Sequence, residues 1–251
     1  MRPVPRRSRG RRRAAGRRLS AALAVALGLA AAADDAEADS PVLVELFTSQ
    51  GCSACPPADA LLAELADRPD VVALSLHVDW WDYLGWRDVF AQPVFGLRQK
   101  AYRDAAGERS VYTPQIVVDG AEAMVGSRRE AVLAAVEAAA ARPDRARLAL
   151  ELGPESVAVR IAPNGRPAPE ALIWFVTYRT PEPVRIERGE NAGRAVRYRN
   201  VAQSWMKLGR WDGRAEAAFV APAPPQGVGV AVIAQAGPVG PVLAAAKLAP
   251  R

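Results

Sequence analysis

The apolar positions of this chain switch between two periods, and the switch points mark its elements. From Pro41 to Ser49 the run Val-Leu-Val-Glu-Leu-Phe is short and nearly continuous, which suits a strand buried on both faces. Behind it Ala58, Leu61, Leu62 and Leu65 recur at helical spacing up to Asp67. Pro56 and Pro57 fit only a first turn, where a missing N–H has no helical partner, so this helix begins at or just after Cys55. Arg68-Pro69-Asp70 ends it, and Val71 to Val78 reads as a second buried strand. An aromatic loop follows, Asp79-Trp80-Trp81-Asp82-Tyr83-Leu84-Gly85-Trp86, then a helix over about Gln92–Ala106 with Phe95, Leu97 and Tyr102. Gln115–Val118 and Ala121–Gly126 predict a hairpin around Asp119-Gly120. Ser127 reads as the cap of a last helix, with Glu130 as its capping-box partner, and Val132, Leu133 and Val136 as its apolar stripe.

At Pro143-Asp144 the pattern changes. Short alternating or apolar runs follow at Leu148–Leu152, Val157–Ile161, Ala171–Tyr178, Val184–Glu187, Ala195–Leu208, Ala215–Val220, Val228–Gln235 and Val242–Leu248. Turn residues separate them, and no helical stretch interrupts. The pattern predicts an α/β domain over residues 39–143 and an all-β, sandwich-like domain over 144–251. Length allows one large domain or two ordinary ones.

Charge changes the picture only at the N-terminus. The net charge is +6. Nine arginines lie between Arg2 and Arg18, ahead of an apolar stretch from Leu19 to Ala33, and Ala36 and Ala38 form an A-x-A site before Asp39. Residues 1–38 therefore predict a cleaved secretory signal peptide. They hold nine of the 33 basic and three of the 27 acidic residues, leaving 24 of each. The basic character belongs to the leader and makes no case for nucleic-acid binding. The apolar stretch is too short and alanine-rich for a stable membrane span. Export predicts a periplasmic or secreted protein, in a compartment where disulfides persist.

Cys52 and Cys55 are the only cysteines. Two thiols at C-x-x-C spacing at a helix start can close a small disulfide. The helix N-terminus stabilises a thiolate through its partial positive charge. In that arrangement Cys52 is the more exposed sulfur and attacks, and Cys55 resolves the mixed disulfide. A tetrahedral structural zinc wants four ligands, and two cysteines and one histidine do not supply them. A purely structural disulfide is the other reading. A bridge across four residues constrains the unfolded chain little, so it would be a poor staple. No Gly-rich phosphate loop and no second cysteine pair occur, so no cofactor is expected.

Strand, Cys-x-x-Cys, helix, strand, then residue-Pro before a hairpin and a last helix resembles the thioredoxin fold. Val44–Asp59, Leu76–Trp86 and Arg188–Arg194 further resemble an uncharacterised family of secreted proteobacterial thioredoxin-like proteins, a domain of unknown function. The resemblance implies an α/β thioredoxin-like domain followed by the β domain. It implies that Thr113-Pro114 is a cis pair facing the dithiol, where an extended substrate would pair. It transfers no substrate. Gln203 stands where the family pattern suggests arginine.

The remaining candidates carry two readings each. His77, the only histidine, is a proton shuttle for the resolving thiol, a third ligand with Cys52 and Cys55 for Cu(I) or for zinc with an open position, or a buried structural histidine. Asp79 follows on the same strand face and could orient the imidazole. Trp80, Trp81, Tyr83 and Trp86 line a substrate groove or seal the sheet. Glu45 assists the resolving cysteine, as a buried acid does in several thioredoxin-like proteins, or faces the second domain. Together these point to thiol–disulfide exchange with protein or small-molecule thiols. The alternatives are a copper-handling protein and a non-catalytic interaction module.

Overall fold

The computed structural model describes residues 40–251; the signal-peptide expectation for 1–38 lies outside them. The first half runs β1 (Val42–Thr48), α1 (Pro56–Ala66), β2 (Val71–His77), α2 (Pro93–Ala106), β3 (Gln115–Val118), β4 (Glu122–Val125) and α3 (Arg129–Ala140). The second half is β5 (Ala146–Leu152), β6 (Ser156–Pro163), β7 (Ala171–Arg179), β8 (Val184–Arg185), β9 (Ala195–Val196), β10 (Val201–Trp211), β11 (Ala217–Pro222), β12 (Gly229–Gln235) and β13 (Val242–Leu248). Every residue of β1 and of β2 is buried, as their continuous apolar runs require.

An eight-stranded mixed sheet with order β13-β12-β7-β10-β2-β1-β3-β4 runs through both halves. β1 and β2 are parallel, and β3 is antiparallel to both β1 and β4. The sheet crosses residue 143 because β10 lies parallel to β2, with Val201 opposite Ser75. The division at 143/144 thus separates segments of chain that share one sheet. Each face of that sheet is covered differently. On one face α1 and α3 pack Leu61, Leu62, Leu65, Val132 and Val136 onto Val44, Leu46 and Ile116. On the other, Phe95 and Tyr102 of α2 join a core drawn from Leu43, Phe47 and Leu74 as well as Val176, Tyr178 and Ile233. The three-stranded sheet β11-β6-β5 covers the remaining face of β7, β12 and β13, through Val157, Val159 and Ile161 against Ile173, Phe175 and Val232. This two-layer region is the sandwich-like part of the fold.

Two local expectations need correcting. The run Ala195–Leu208 is not one strand. Asn200 sits at φ 46°, a left-handed conformation that Asn tolerates, and it breaks the run into β9 and β10. Its carbonyl accepts from Ser75 N (3.0 Å) and its amide donates to Ala73 O (3.0 Å), which docks β10 on β2. The capping box at Ser127 does not form. Arg128 holds the cap position with no side-chain cap bond, because the helix starts at Arg129, one residue later than a Ser127 cap requires. At Asp119-Gly120 both φ values are positive, 48° and 64°, as a two-residue hairpin turn of this sequence demands.

Candidate functional site

The cysteine turn is built at the C-terminal end of β1. Cys52 N donates to Ser49 O (3.1 Å), and Cys55 N donates to Cys52 O (3.2 Å). Cys55 caps α1, and Pro56 and Pro57 form its first turn. Cys52 and Cys55 are disulfide-bonded, with Cα atoms 5.4 Å apart. Cys52 is 2% exposed and Cys55 is fully buried. The expected difference in accessibility is therefore small, and the exposed part of the turn is Ser53 and Ala54. The helix N-terminus also offers fewer donors than its position suggests. The two prolines lack N–H groups, and the Ala58 and Asp59 amides are spent on Cys55 O, at 2.9 and 3.1 Å.

Beneath the turn lies a buried polar cluster. Asp59 stands one helical turn after Cys55 and is 5% exposed. Thr48 Oγ1 donates to its Oδ1 (2.8 Å). Burial pushes the Asp59 carboxyl up to about 7; the nearby His77 and the Thr48 bond pull it down, and Asp88 pushes it further up. His77 is fully buried at the end of β2. Its Nδ1 lies 2.7 Å from Asp88 Oδ2. A carboxylate oxygen accepts, so Nδ1 carries the proton. Its Nε2 is buried without a partner. Phe90 and Tyr198 approach the imidazole edge-on, with centroids at 5.3 and 4.7 Å. Burial, and then the charges of Asp59 and Asp88, push the Tyr198 hydroxyl up. Asp88 also accepts from Gln50 N (2.8 Å) and Phe90 N (2.9 Å). It thereby ties the cysteine turn to the histidine.

The aromatic loop and a distant hairpin close the top. The Trp81 side chain crowds Gly51 closely enough that a Cβ there would come within 3.2 Å of Trp81 Cβ. Trp81 Nε1 donates to Thr113 Oγ1 (2.7 Å), and its ring stacks on Trp80 at 4.9 Å. One side chain thus links the cysteine turn to the Thr113-Pro114 loop, whose peptide bond is cis. Trp80 donates to Gln99 Oε1 (3.2 Å), and Trp86 donates to Gln50 Oε1 (2.8 Å). The β8–β9 hairpin reaches over from the second half. Its Asn191 donates through Nδ2 to Gln50 O (2.9 Å) and Cys52 O (2.8 Å). Its Glu190 accepts from Ser53 Oγ (2.6 Å).

The structure gathers Cys52, Cys55, His77, Trp81, Thr113 and Pro114 around one strand end, and it places two other candidates elsewhere. Glu45 faces α2, on the sheet face opposite α1. There it pairs with Arg98 (2.5 Å) and accepts from Tyr102 OH (2.5 Å), so its side chain is committed away from the sulfurs. Asp79 lies past the end of β2, partly exposed and next to Gly96; Asp88 is the residue that holds the imidazole. Asp59, Asp88 and Asn191 were not singled out from the sequence, although Asp59 ends the Val44–Asp59 stretch and Asn191 lies in the Arg188–Arg194 stretch that carry the resemblance; nothing signalled Asp88. Among the described residues no three His, Cys, Asp or Glu side chains are grouped to hold a metal ion, and no helix is long and apolar enough to cross a membrane. A cavity of about 440 Å³ lies at the other end of β1, beside Val42, Asp119, Arg142 and Leu243, away from the dithiol.

The family model described as "Protein of unknown function (DUF1223)" matches residues 43–235. Among solved structures, the X-ray crystal structure of a protein from Agrobacterium tumefaciens aligns with a TM-score of 0.72 at 27% identity, over 85% of this chain and 96% of that one. HBP35 of Porphyromonas gingivalis aligns with a TM-score of 0.56 at 12% identity, over 84% of this chain and 76% of that one; at that identity the likeness concerns the fold alone. No curated protein matches the sequence.

Proposed function

The chain belongs to the family described as Protein of unknown function (DUF1223), which brings no chemistry with it, and from the site itself we propose that the protein is an exported, thioredoxin-like thiol–disulfide oxidoreductase. The strand order β4-β3-β1-β2 with β3 antiparallel, a C-x-x-C turn at the mouth of α1 and a cis Thr113-Pro114 before β3 support the thioredoxin-like part. The leader supports export to the periplasm or beyond.

The observation that carries the reading is the buried acid under the disulfide. A structural bridge has no use for a proton store. Asp59, pushed up to about 7 by burial, is protonated for much of the time at neutral pH and lies one turn from Cys55. The exchange balances as follows. A substrate thiolate attacks Cys52 Sγ, forming a mixed disulfide as the Cys52–Cys55 bond breaks. The electron pair leaves on Cys55 Sγ, and the proton of Asp59 neutralises that thiolate. A second substrate thiolate then displaces Cys52, so the substrate is oxidised to a disulfide and the protein is left as a dithiol. His77, held through Nδ1 by Asp88, has a buried Nε2 with neither proton nor partner, so it accepts rather than donates, and Asp59 regains its proton from water once the site opens. Substrates are protein or small-molecule thiols. A Cu(I) role for Cys52, Cys55 and His77 would require the disulfide opened and a shift of the imidazole.

The test is oxidation of a model dithiol by purified mature protein across glutathione redox buffers. Wild type should turn over with a defined potential, Cys52→Ser should lose turnover, and Asp59→Asn should slow it with a flattened pH profile. Folded protein that neither oxidises nor reduces the dithiol at any poise overturns the reading.

A further inference from the structure

We infer that residues 186–194 form a lid over the Cys52–Cys55 disulfide, latched by Asn191, and that thiols reach Cys52 only when it opens. The segment is built to move as a unit. β8 and β9 pair at its base, Val184 with Val196 and Arg185 with Ala195. Its backbone bonds are internal: Ile186 N to Arg194 O (2.9 Å), Gly193 N to Ile186 O (2.8 Å), Ala192 N to Gly189 O (3.1 Å) and Arg194 N to Asn191 O (3.2 Å). Gly189 and Gly193 supply positive φ at 76° and 83°, which the tight tip needs. Opening the lid breaks none of these.

What holds the tip down is slight. Asn191 Nδ2 bridges the Gln50 and Cys52 carbonyls, Ser53 bonds Glu190 at the surface, and Gly189 rests near Trp86. Against these, Asn191 Oδ1 and Gln50 Nε2 are buried without partners. Both regain hydrogen bonds when water enters, and an unmade buried bond is costly. These unmade bonds offset part of the latch, while Ile186, fully buried at the base of the segment, opposes release. The closed position sets the tip on Cys52 O, beside a sulfur-bearing residue only 2% exposed. That the gate admits substrate rests on the exchange function proposed above; the latch itself does not.

The test is the rate at which tris(2-carboxyethyl)phosphine reduces the disulfide of the mature protein, quenched with iodoacetamide and read by mass. This reagent needs no catalysis from the protein. Asn191→Ala removes both latch bonds and leaves the buried Gln50 carbonyl unpaired in the closed state, while Cys52 O keeps Cys55 N, so its reduction should be about tenfold faster than wild type. Hydrogen exchange at residues 189–194 should rise with it. Ser53→Ala and Glu190→Gln, at an exposed contact that folding does not depend on, should shift the rate the same way by a smaller factor. Rates for all three within about twofold of wild type, the scale of a surface contact, overturn the lid. Faster reduction in Asn191→Ala with no dithiol turnover in any form sustains the lid and sinks the exchange reading.

Discussion

Arg98 and Glu45 form a buried bidentate pair, with Nε 2.5 Å from Oε1 and Nη2 3.0 Å from Oε2. The pair joins α2 to β1, and it also draws in the second half of the chain. Arg98 Nη2 donates to Gln235 Oε1 on β12 (3.0 Å), Nη1 donates to Pro238 O (3.1 Å), and the guanidinium lies 3.9 Å over the Trp205 ring. Removing one partner leaves an uncompensated charge in the core. Arg98→Leu should therefore cost about 3–5 kcal/mol. Chemical denaturation of wild type, Arg98→Leu, Glu45→Gln and the double variant checks this, and the double variant should lose less than the two singles summed.

Asp59 makes stability depend on pH. Its folded carboxyl titrates near 7, well above its ordinary 3.8, so between these values the folded state binds more protons than the unfolded one. Stability then falls as pH rises from about 4 to about 7, by a few kcal/mol. The contribution is fully present below pH 4 and lost above pH 7. Asp59→Asn should flatten the slope and gain on wild type at pH 8, as read from urea midpoints at a series of pH values.

The disulfide should matter little for stability. It closes a four-residue loop, and the chain-entropy model gives such a loop about 2 kcal/mol at most. The mature protein held reduced, with neither buried sulfur alkylated, should remain folded by near-ultraviolet dichroism. A loss much larger than this would return the bridge to a structural role.

Gly120 is irreplaceable for two independent reasons. Its φ is 64°, and a Cβ there would meet Gly240 O at 2.3 Å and Gln235 Nε2 at 2.6 Å. Gly120→Ala should cost more than about 1 kcal/mol from the backbone alone, with the clash against the β12–β13 loop added. Thermal melting checks it, with Gly107→Ala as comparison: that glycine also has positive φ, 68°, but open space around it.

The elements were legible because each obeys a local rule. β1, β2, α1 and the Asp119-Gly120 hairpin all follow from period, proline position or turn chemistry within about ten residues. The sheet's continuity was not, because β10 meets β2 through Asn200, whose partner Ala73 lies 127 residues away. A lone Asn in a charged stretch gives no sign of that. Asp59 enters the sequence only as the end of the Val44–Asp59 stretch, and the fold is what brings Thr48 and His77 to it. Asn191 reaches Cys52 across 139 residues. Glu45 carried two readings; its bond to Arg98, which also binds Gln235 and Pro238, puts it on the face turned to the second half of the chain, a choice that a strand buried on both faces does not make by itself.

The parallel docking of β10 on β2 carries a further consequence. All seven residues of β2 are buried, and its flank away from β1 is covered by Asn200 and Val201. A fragment ending at residue 143 would keep the cysteine turn and all three helices. It would also expose an apolar strand with unpaired N–H and C=O groups, the usual template for edge-to-edge association. The face under α2 would lose Val176, Tyr178 and Ile233 as well. The segment after residue 143 thus shields the flank of β2, and a fragment that lacks it should self-associate through that strand, as light scattering would read.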